Sequence, residues 1–336
     1  MERLDRTRFE VVGLVSQGIL SFCRERVRSD DLTWIGFPNN MQRALELFQQ
    51  SGCDLVMHWH AGTDVLNYFL SFLPLAPVQC IGFGTHGTTG IRGIDYFVSS
   101  RLFERGDEAD EGYTEKLVQF NGATAWQPRP MRPGPASRED FGLPKTGAVY
   151  FCPQRLAKFH PDFDRVLRQI LAGDHLGHVV ILQGKRPKSA EALRARLADA
   201  LGETLAKRVL FVPSQSPPDY YRLLSLADVV LDTPVYSASL TGYDAFSLGV
   251  PIVTLPGPLM VQRYATGLYR QLEIPDLIAQ DEQSYVQLAL RLGCDADYRE
   301  AIHRKILDRS EVLYEDDSVV YEYEDFFIQV SEQACM

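Results

Sequence analysis

The sequence has no apolar run of the roughly 20 residues that a membrane span needs. Its opening residues, MERLDRTRFE, lack the apolar segment of a secretory signal. It also lacks an excess of positive charge: 34 Lys and Arg stand against 44 Asp and Glu, a net charge of -10. That balance disfavours a nucleic-acid binder. No C-x-x-C pair occurs among Cys23, Cys53, Cys80, Cys152, Cys294 and Cys335. Scattered thiols of this kind fit a reduced, cytoplasmic chain and offer no metal site. There is no repeat of solenoid length and no phosphate-loop motif; Gly82-Phe83-Gly84 is only a fragment of a dinucleotide fingerprint. Two Asp-x-Asp triplets, Asp162-Phe163-Asp164 and Asp295-Ala296-Asp297, precede or open predicted helices. Acids there are ordinary partners of the helix dipole, so no metal is expected.

What is present is a chain of 336 residues, 45% hydrophobic, enough for two well-buried domains. Strands are expected at 9–15, 32–37, 54–58, 76–81 and 94–98, with helices at 19–28, 40–50 and 65–73 between them. Such alternation predicts a parallel α/β domain. The stretch after Val98 reads as irregular. The run Gln127-Pro128-Arg129-Pro130-Met131-Arg132-Pro133-Gly134-Pro135 is the strongest linker signal. The boundary is placed between Trp126 and Gly142, giving domains 1–135 and 136–336. A second alternation starts at Ala148 and ends in four helices, the last near Val319 to Val330. Two doubly wound domains joined in this way suggest a cleft between facing carboxyl edges.

The most informative stretch is ADVVLDTPVYSASLTGYDAFSLGVPIVTLPG, from Ala227 to Gly257. Val229 to Leu231 reads as a buried strand, Ser237 to Thr241 as a loop, Gly242 to Leu248 as a helix and Pro251 to Leu255 as the next strand. The helix would aim unpaired amides and its positive end at an anion such as a diphosphate. Thr241 and Asp244 also have the spacing of a capping box, which binds nothing. Lys158 follows a predicted strand and can reach into the cleft to neutralise a phosphate; the alternative is a solvated loop lysine. His58, His60 and His86 sit at strand ends of the first domain. Each could serve as acid, base or sugar contact, or simply pack in a loop.

Further residues carry a resemblance. They are Leu75-Ala76-Pro77-Val78-Gln79, Gly84 to Gly90, Asp95-Tyr96 and Tyr113-Thr114-Glu115-Lys116-Leu117. Phe141-Gly142-Leu143-Pro144, Lys158 with Pro161, Arg208 to Pro213, Leu226 to Pro234 and Thr241-Gly242-Tyr243-Asp244 complete the set. From about Cys53 onward the chain resembles the catalytic region of the O-GlcNAc transferase/SPINDLY-type glycosyltransferases. The resemblance implies an α/β GT-B fold, two doubly wound Rossmann-like domains facing across a cleft. It implies metal-independent, inverting transfer of a hexose or N-acetylhexosamine, glucose or GlcNAc, from a UDP-sugar to a protein Ser, Thr or Asn. The UDP-sugar is then the donor substrate and no cofactor is needed.

On the same resemblance, the phosphate-binding lysine is Lys158 and the helix start is Ser239, Leu240, Thr241 and Gly242, with Asp244 inside. Several positions depart from the family. Ser239-Leu240 replaces His-Thr before Thr241; Tyr220 replaces a base-stacking histidine, and aromatic stacking is retained. Pro217 replaces a ribose-contacting lysine, and Arg155 replaces a glutamine as an extra phosphate contact. No counterpart of the family's first strand–loop–helix unit or of its tetratricopeptide repeats is expected before Arg8. The first strand would then be an edge, covered by a second copy of the chain or a partner transferase subunit. An accessory, non-catalytic subunit is the alternative reading, and an epimerase on the same fold a third.

Overall fold

The computed structural model describes residues 2–27, 32–62, 65–82 and 84–334, apart from the side chains of Asp107 and Glu108. Arg28 of the first expected helix, Phe83 of the Gly-x-Gly fragment and Cys335 lie outside these residues. The chain divides into two compact units, one running to Trp126 and resuming at Asp316, the other spanning Gln127–Glu315.

In the first unit, β1 (Val11–Ser16) and β2 (Leu32–Phe37) form a parallel pair with α1 (Leu20–Arg26) between them. Gly13 lets the two strands lie close, since a Cβ there would fall 2.4 Å from the Trp34 ring. β1 hydrogen-bonds β2 alone among the described residues, so it is an edge strand within this chain. α2 (Met41–Ser51) starts on the Asn40 side chain, which accepts from the Arg43 amide, and stops at Gly52 in the left-handed region. A cap and a stop of this kind fix helix ends independently of packing. A four-stranded parallel sheet follows in the order β3 (Leu55–His58), β4 (Val78–Ile81), β5 (Tyr96–Ser100) and β6 (Lys116–Phe120). α3 (Val65–Leu70) leads from β3 towards β4. β6 lies in the stretch expected to be irregular. Its five residues, Lys-Leu-Val-Gln-Phe, are too short a run to show a period.

In the second unit the sheet order is β11-β10-β7-β8-β9, all parallel. Along the chain these are β7 (Val149–Cys152), α4 (Pro161–Gly173), β8 (His178–Leu182), α5 (Pro187–Leu201), α6 (Glu203–Ala206), β9 (Val209–Val212) and α7 (Pro217–Leu224). Then come β10 (Val229–Leu231), α8 (Leu240–Ser247), β11 (Ile252–Val253), α9 (Tyr264–Gln271), α10 (Glu282–Cys294) and α11 (Ala296–Arg309). Both faces of the sheet are covered, so its strands read as continuous apolar runs rather than alternating ones. Phe151, Val180, Val230 and Ile252 have no exposure at all. Burial of each such side chain stabilises by roughly 1.5–3 kcal/mol. The long helix expected over 189–205 is broken by Gly202, whose φ of 78° no helix contains.

α12 (Ser318–Ala334) belongs to the first unit, not to the second domain where sequence order had placed it. Its Val319, Val320, Phe326 and Val330 bury against Val78, Cys80, Val98 and Phe120 of β4–β6. Glu322 accepts from the Asn121 backbone at 2.9 Å, and nearly buried Glu324 accepts from the Asp5 backbone at 2.7 Å. The first unit thus closes over its sheet with the chain's last helix, and the division after Trp126 lies at the near end of the expected Trp126–Gly142 window, nine residues before 136. The five described cysteines are unpaired. Among the described residues no helix is long and apolar enough to cross a membrane.

Candidate functional site

In the second unit the chain moves outward from β7 to β8 and β9, then returns to place β10 on the other side of β7. The reversal creates a crevice above the carboxyl ends of β7 and β10, where ligands of doubly wound sheets bind. Two loops border it: Pro153–His160 after β7 and Asp232–Ser239 after β10. Lys158 comes from the first. Its Nζ lies 3.6 Å from the centroid of the Tyr236 ring, which comes from the second. Burial pushes the lysine down to about 8; Asp232 opposes this, and Arg155 adds to it through like charge. Arg155 itself is exposed on the same turn. The charges that act on Lys158 are thus a second cation, Arg155, and one buried acid, Asp232.

That acid, Asp232, directly follows β10. It has 1% exposure and organises the whole second loop. Its carboxylate accepts from Ser237 Oγ at 2.6 Å, the Ala238 amide at 2.7 Å and Thr254 Oγ1 at 2.7 Å. Ser237 Oγ in turn accepts from the Ala265 amide at 2.9 Å, and Tyr285 donates its hydroxyl to the Asp232 carbonyl at 2.9 Å. Burial raises the Asp232 carboxyl to about 6; the donors from Ser237, Thr254 and Ala238, and the charge of Lys158, pull the other way. Nearby, Gln154 donates to the Leu231 carbonyl at 3.3 Å while its own Oε1 is buried with no partner among the described residues. A signal was available in sequence: an acid directly after a fully apolar strand is costly to bury unless it is held.

The loop runs into α8, whose start differs from the capping-box reading of Thr241. The helix begins at Leu240, two residues before the Gly242 start read from the apolar pattern, and Ser239 caps it without a side-chain hydrogen bond. The capping box is absent because Asp244 faces away, accepting from Tyr221 Oη of α7 at 2.7 Å. The amides of Leu240 and Thr241 have no acceptor among the described residues; the Gly242 amide closes onto the Ser239 carbonyl at 2.8 Å. Two open donors remain at the positive helix end. Gly242 is buried by packing, as a Cβ there would meet Leu268 at 2.7 Å. Tyr220, expected as a stacking platform, lies against the core, ring-to-ring with Tyr221 at 5.4 Å. Its hydroxyl is buried beside Asp244 without a well-formed bond. Burial raises the Asp244 carboxyl, and the two tyrosines moderate that. Tyr221→Phe removes the one well-formed donor and should cost about 1.5 kcal/mol, lowering the melting midpoint by about 4 °C. An unchanged melting curve would show that the Tyr221–Asp244 bond is not formed in solution.

The first unit brings the three histidines to neighbouring strand ends. His58 closes β3, His60 follows two residues later, and His86 lies in the loop after β4, the strand paired with β3. The two loops touch: the Ala61 amide donates to Thr85 Oγ1 at 3.2 Å. Gly84, with φ 100°, lets the Trp59 carbonyl approach where a Cβ would stand 2.5 Å away. Glu115, with 5% exposure, holds the loop from beyond β5. It accepts from Thr88 Oγ1 at 2.6 Å and the Thr89 amide at 2.8 Å. Burial alone would raise its carboxyl, but the threonine donors outweigh it and hold the group below its ordinary value. His58 Nε2 lies 3.2 Å from Gln79 Oε1. Burial pushes its pKa down and Gln79 partly restores it. Asp162 and Asp164 do not converge on a common point, since Asp164 is gripped by Arg196 at 2.8 and 2.9 Å. Asp295 caps α11. Among the described residues no cluster of three metal-ligating side chains occurs.

Two parallel α/β units, with a cationic crevice at the switch point of one, define a GT-B glycosyltransferase fold. Solved structures share it. An O-GlcNAc transferase from Thermobaculum terrenum (K341M variant) superimposes with a TM-score of 0.79 at 22% identity, covering 100% of this chain and 71% of that one. Anabaena HepE in complex with UDP gives 0.61 at 12%, covering 96% and 100%. Residues 119–320, more than half of the sequence, match the model of glycosyl transferase family 41. The chain belongs to that family. Among curated relatives, a UDP-N-acetylglucosamine--peptide N-acetylglucosaminyltransferase of Caenorhabditis elegans is 37% identical over 99 residues, 30% of this chain and 9% of that protein. The probable enzyme SEC of Arabidopsis thaliana is 30% identical over 281 residues, 80% of this chain and 28% of that protein. The chain thus spans less than a third of the length of these relatives.

Proposed function

We propose that the chain binds a UDP-sugar at the second unit's switch point and transfers its sugar to a protein side chain. The observation that carries this reading is Lys158, held over Tyr236 beside Arg155, at the mouth of a loop that ends in the open amides of Leu240 and Thr241. Such an array neutralises a diphosphate and does most for the charge that develops as UDP departs. The sugar is N-acetylglucosamine first and glucose second; the names of the curated relatives support the former. Transfer is a single displacement with inversion. The acceptor oxygen bonds to the anomeric carbon, the bond to the diphosphate breaks, and the acceptor proton passes to a base, for which His58, His60 and His86 are the candidates. Protein cations take the role that a divalent metal plays elsewhere.

Calorimetric titration with UDP, with and without EDTA, tests the site. Equal affinity in both is expected, and loss of binding on chelation overturns the metal-free reading. Incubation with UDP-GlcNAc and peptide libraries carrying Ser and Thr should release UDP and glycosylate peptide together. Release of UDP without any transfer would overturn the acceptor class.

A further inference from the structure

Gln79 is an unusual residue to find in the middle of a strand. It lies in β4 with 3% exposure and is held at every polar atom. Its backbone amide donates to Asp95 Oδ2 at 2.8 Å, and its carbonyl accepts from the Asp95 amide at 2.8 Å. Its side-chain nitrogen donates twice, to the Leu73 carbonyl at 3.0 Å and to the Gly93 carbonyl at 2.6 Å. A Cβ at Gly93 would press on the Ser71 carbonyl at 3.1 Å and stand 3.5 Å from the Gln79 nitrogen. Both amide hydrogens are therefore spent on oxygens that can only accept. A flipped amide would set its oxygen against two carbonyl oxygens, so one orientation survives. The side-chain oxygen is left facing the ring of His58 at 3.2 Å. An amide oxygen carries no hydrogen, so the facing Nε2 must bring one.

We propose that Gln79 is a positioning residue that holds His58 as the Nε2–H tautomer, leaving Nδ1 as the one basic nitrogen of the ring. The ring then titrates at Nδ1 alone, and whatever proton His58 accepts or delivers passes through that atom. The two influences on its titration in the folded chain are burial and Gln79 itself; the neighbouring acid just before β5, Asp95, is occupied by the Gln79 backbone. A residue that fixes which nitrogen is basic acts on chemistry without touching substrate. Catalytic use of His58 rests on the transferase reading above, whereas the tautomer does not.

The test is long-range 1H–15N NMR on the full chain labelled at histidine, with His58 assigned by loss of its signal in His58→Asn. In the neutral ring, Nε2 is expected to show the shift of a protonated nitrogen and Nδ1 that of an unprotonated one. Gln79→Leu should collapse both 15N shifts towards the averaged values of a free imidazole. If that variant fails to fold, the wild-type spectrum decides alone. A neutral His58 protonated at Nδ1, or one already averaged in the wild-type protein, overturns the proposal. Absence of glycosyl transfer by the same sample would count against the transferase reading and leave the spectra unaffected.

Discussion

Replacing Lys158 by alanine is expected to lower kcat about a hundredfold, with a smaller effect on the binding of UDP-sugar. The ammonium is already desolvated beside Tyr236, and the charge it meets grows as the sugar–phosphate bond breaks. Loss of one such preorganised contact removes about 3 kcal/mol of transition-state stabilisation. The lowered pKa adds a second signature, and its sign can be worked out. In the free protein Lys158 sits at about 8. A bound diphosphate favours the ammonium, so the bound-state value is higher. Below about 8 the free protein already carries the proton and affinity is flat. Above it each binding event must take up a proton, and affinity for UDP should fall about tenfold per pH unit. Lys158→Arg cannot titrate in this range and should abolish that slope while keeping measurable binding. UDP titrations across pH 7–10, with turnover of UDP-sugar at neutral pH, provide the measurement. Near-normal kcat in the alanine variant would refute the role.

The strands and helices that build this site were mostly legible because a doubly wound sheet writes itself as apolar runs separated by amphipathic helices. Val229–Leu231 and His178–Leu182 fall where the pattern set them. Lys158 was visible for the same reason, as a cation just past a strand. What pattern could not show is partnership across the sequence. Tyr236 and Asp232 acquire meaning only when β10 returns beside β7. The spacing of Thr241 and Asp244 suggested a local cap, yet Tyr221, twenty-three positions back, holds the carboxylate instead. α12 was assigned to the unit it follows in sequence, although its Phe326 sits 5.5 Å from Tyr96 in the other. Local chemistry is written in neighbours; a buried polar group chooses whichever donor the fold delivers.

The buried carboxylate of Asp232 allows stability and function to be separated by two substitutions. Asp232→Ala leaves Ser237 Oγ, Thr254 Oγ1 and the Ala238 amide without their acceptor in a closed interior. Breaking a buried network of this kind typically costs about 3–5 kcal/mol, and the melting midpoint should fall by about 10 °C. Asp232→Asn retains an oxygen for the Ala238 amide, and the two hydroxyls can turn to accept from its nitrogen. Its stability at neutral pH should lie within about 1 kcal/mol of wild type. The pH dependence of stability differs in a definite direction. The Asp232 carboxyl is at about 6 in the folded chain against an ordinary value of 3.8. Between those values the folded state holds the extra proton, so this group makes stability fall as pH rises through that window. The asparagine variant should lose that fall. Function should change in the opposite sense to stability: without the facing negative charge the Lys158 pKa drops further, and the pH at which UDP affinity begins to decline moves down. Thermal unfolding from pH 4 to 7, paired with UDP titration of both variants, reads all of these effects. An alanine variant as stable as wild type would mean that the loop between Asp232 and α8 is not built on this carboxylate. An asparagine variant with an unshifted affinity profile would mean that Asp232 does not act on Lys158.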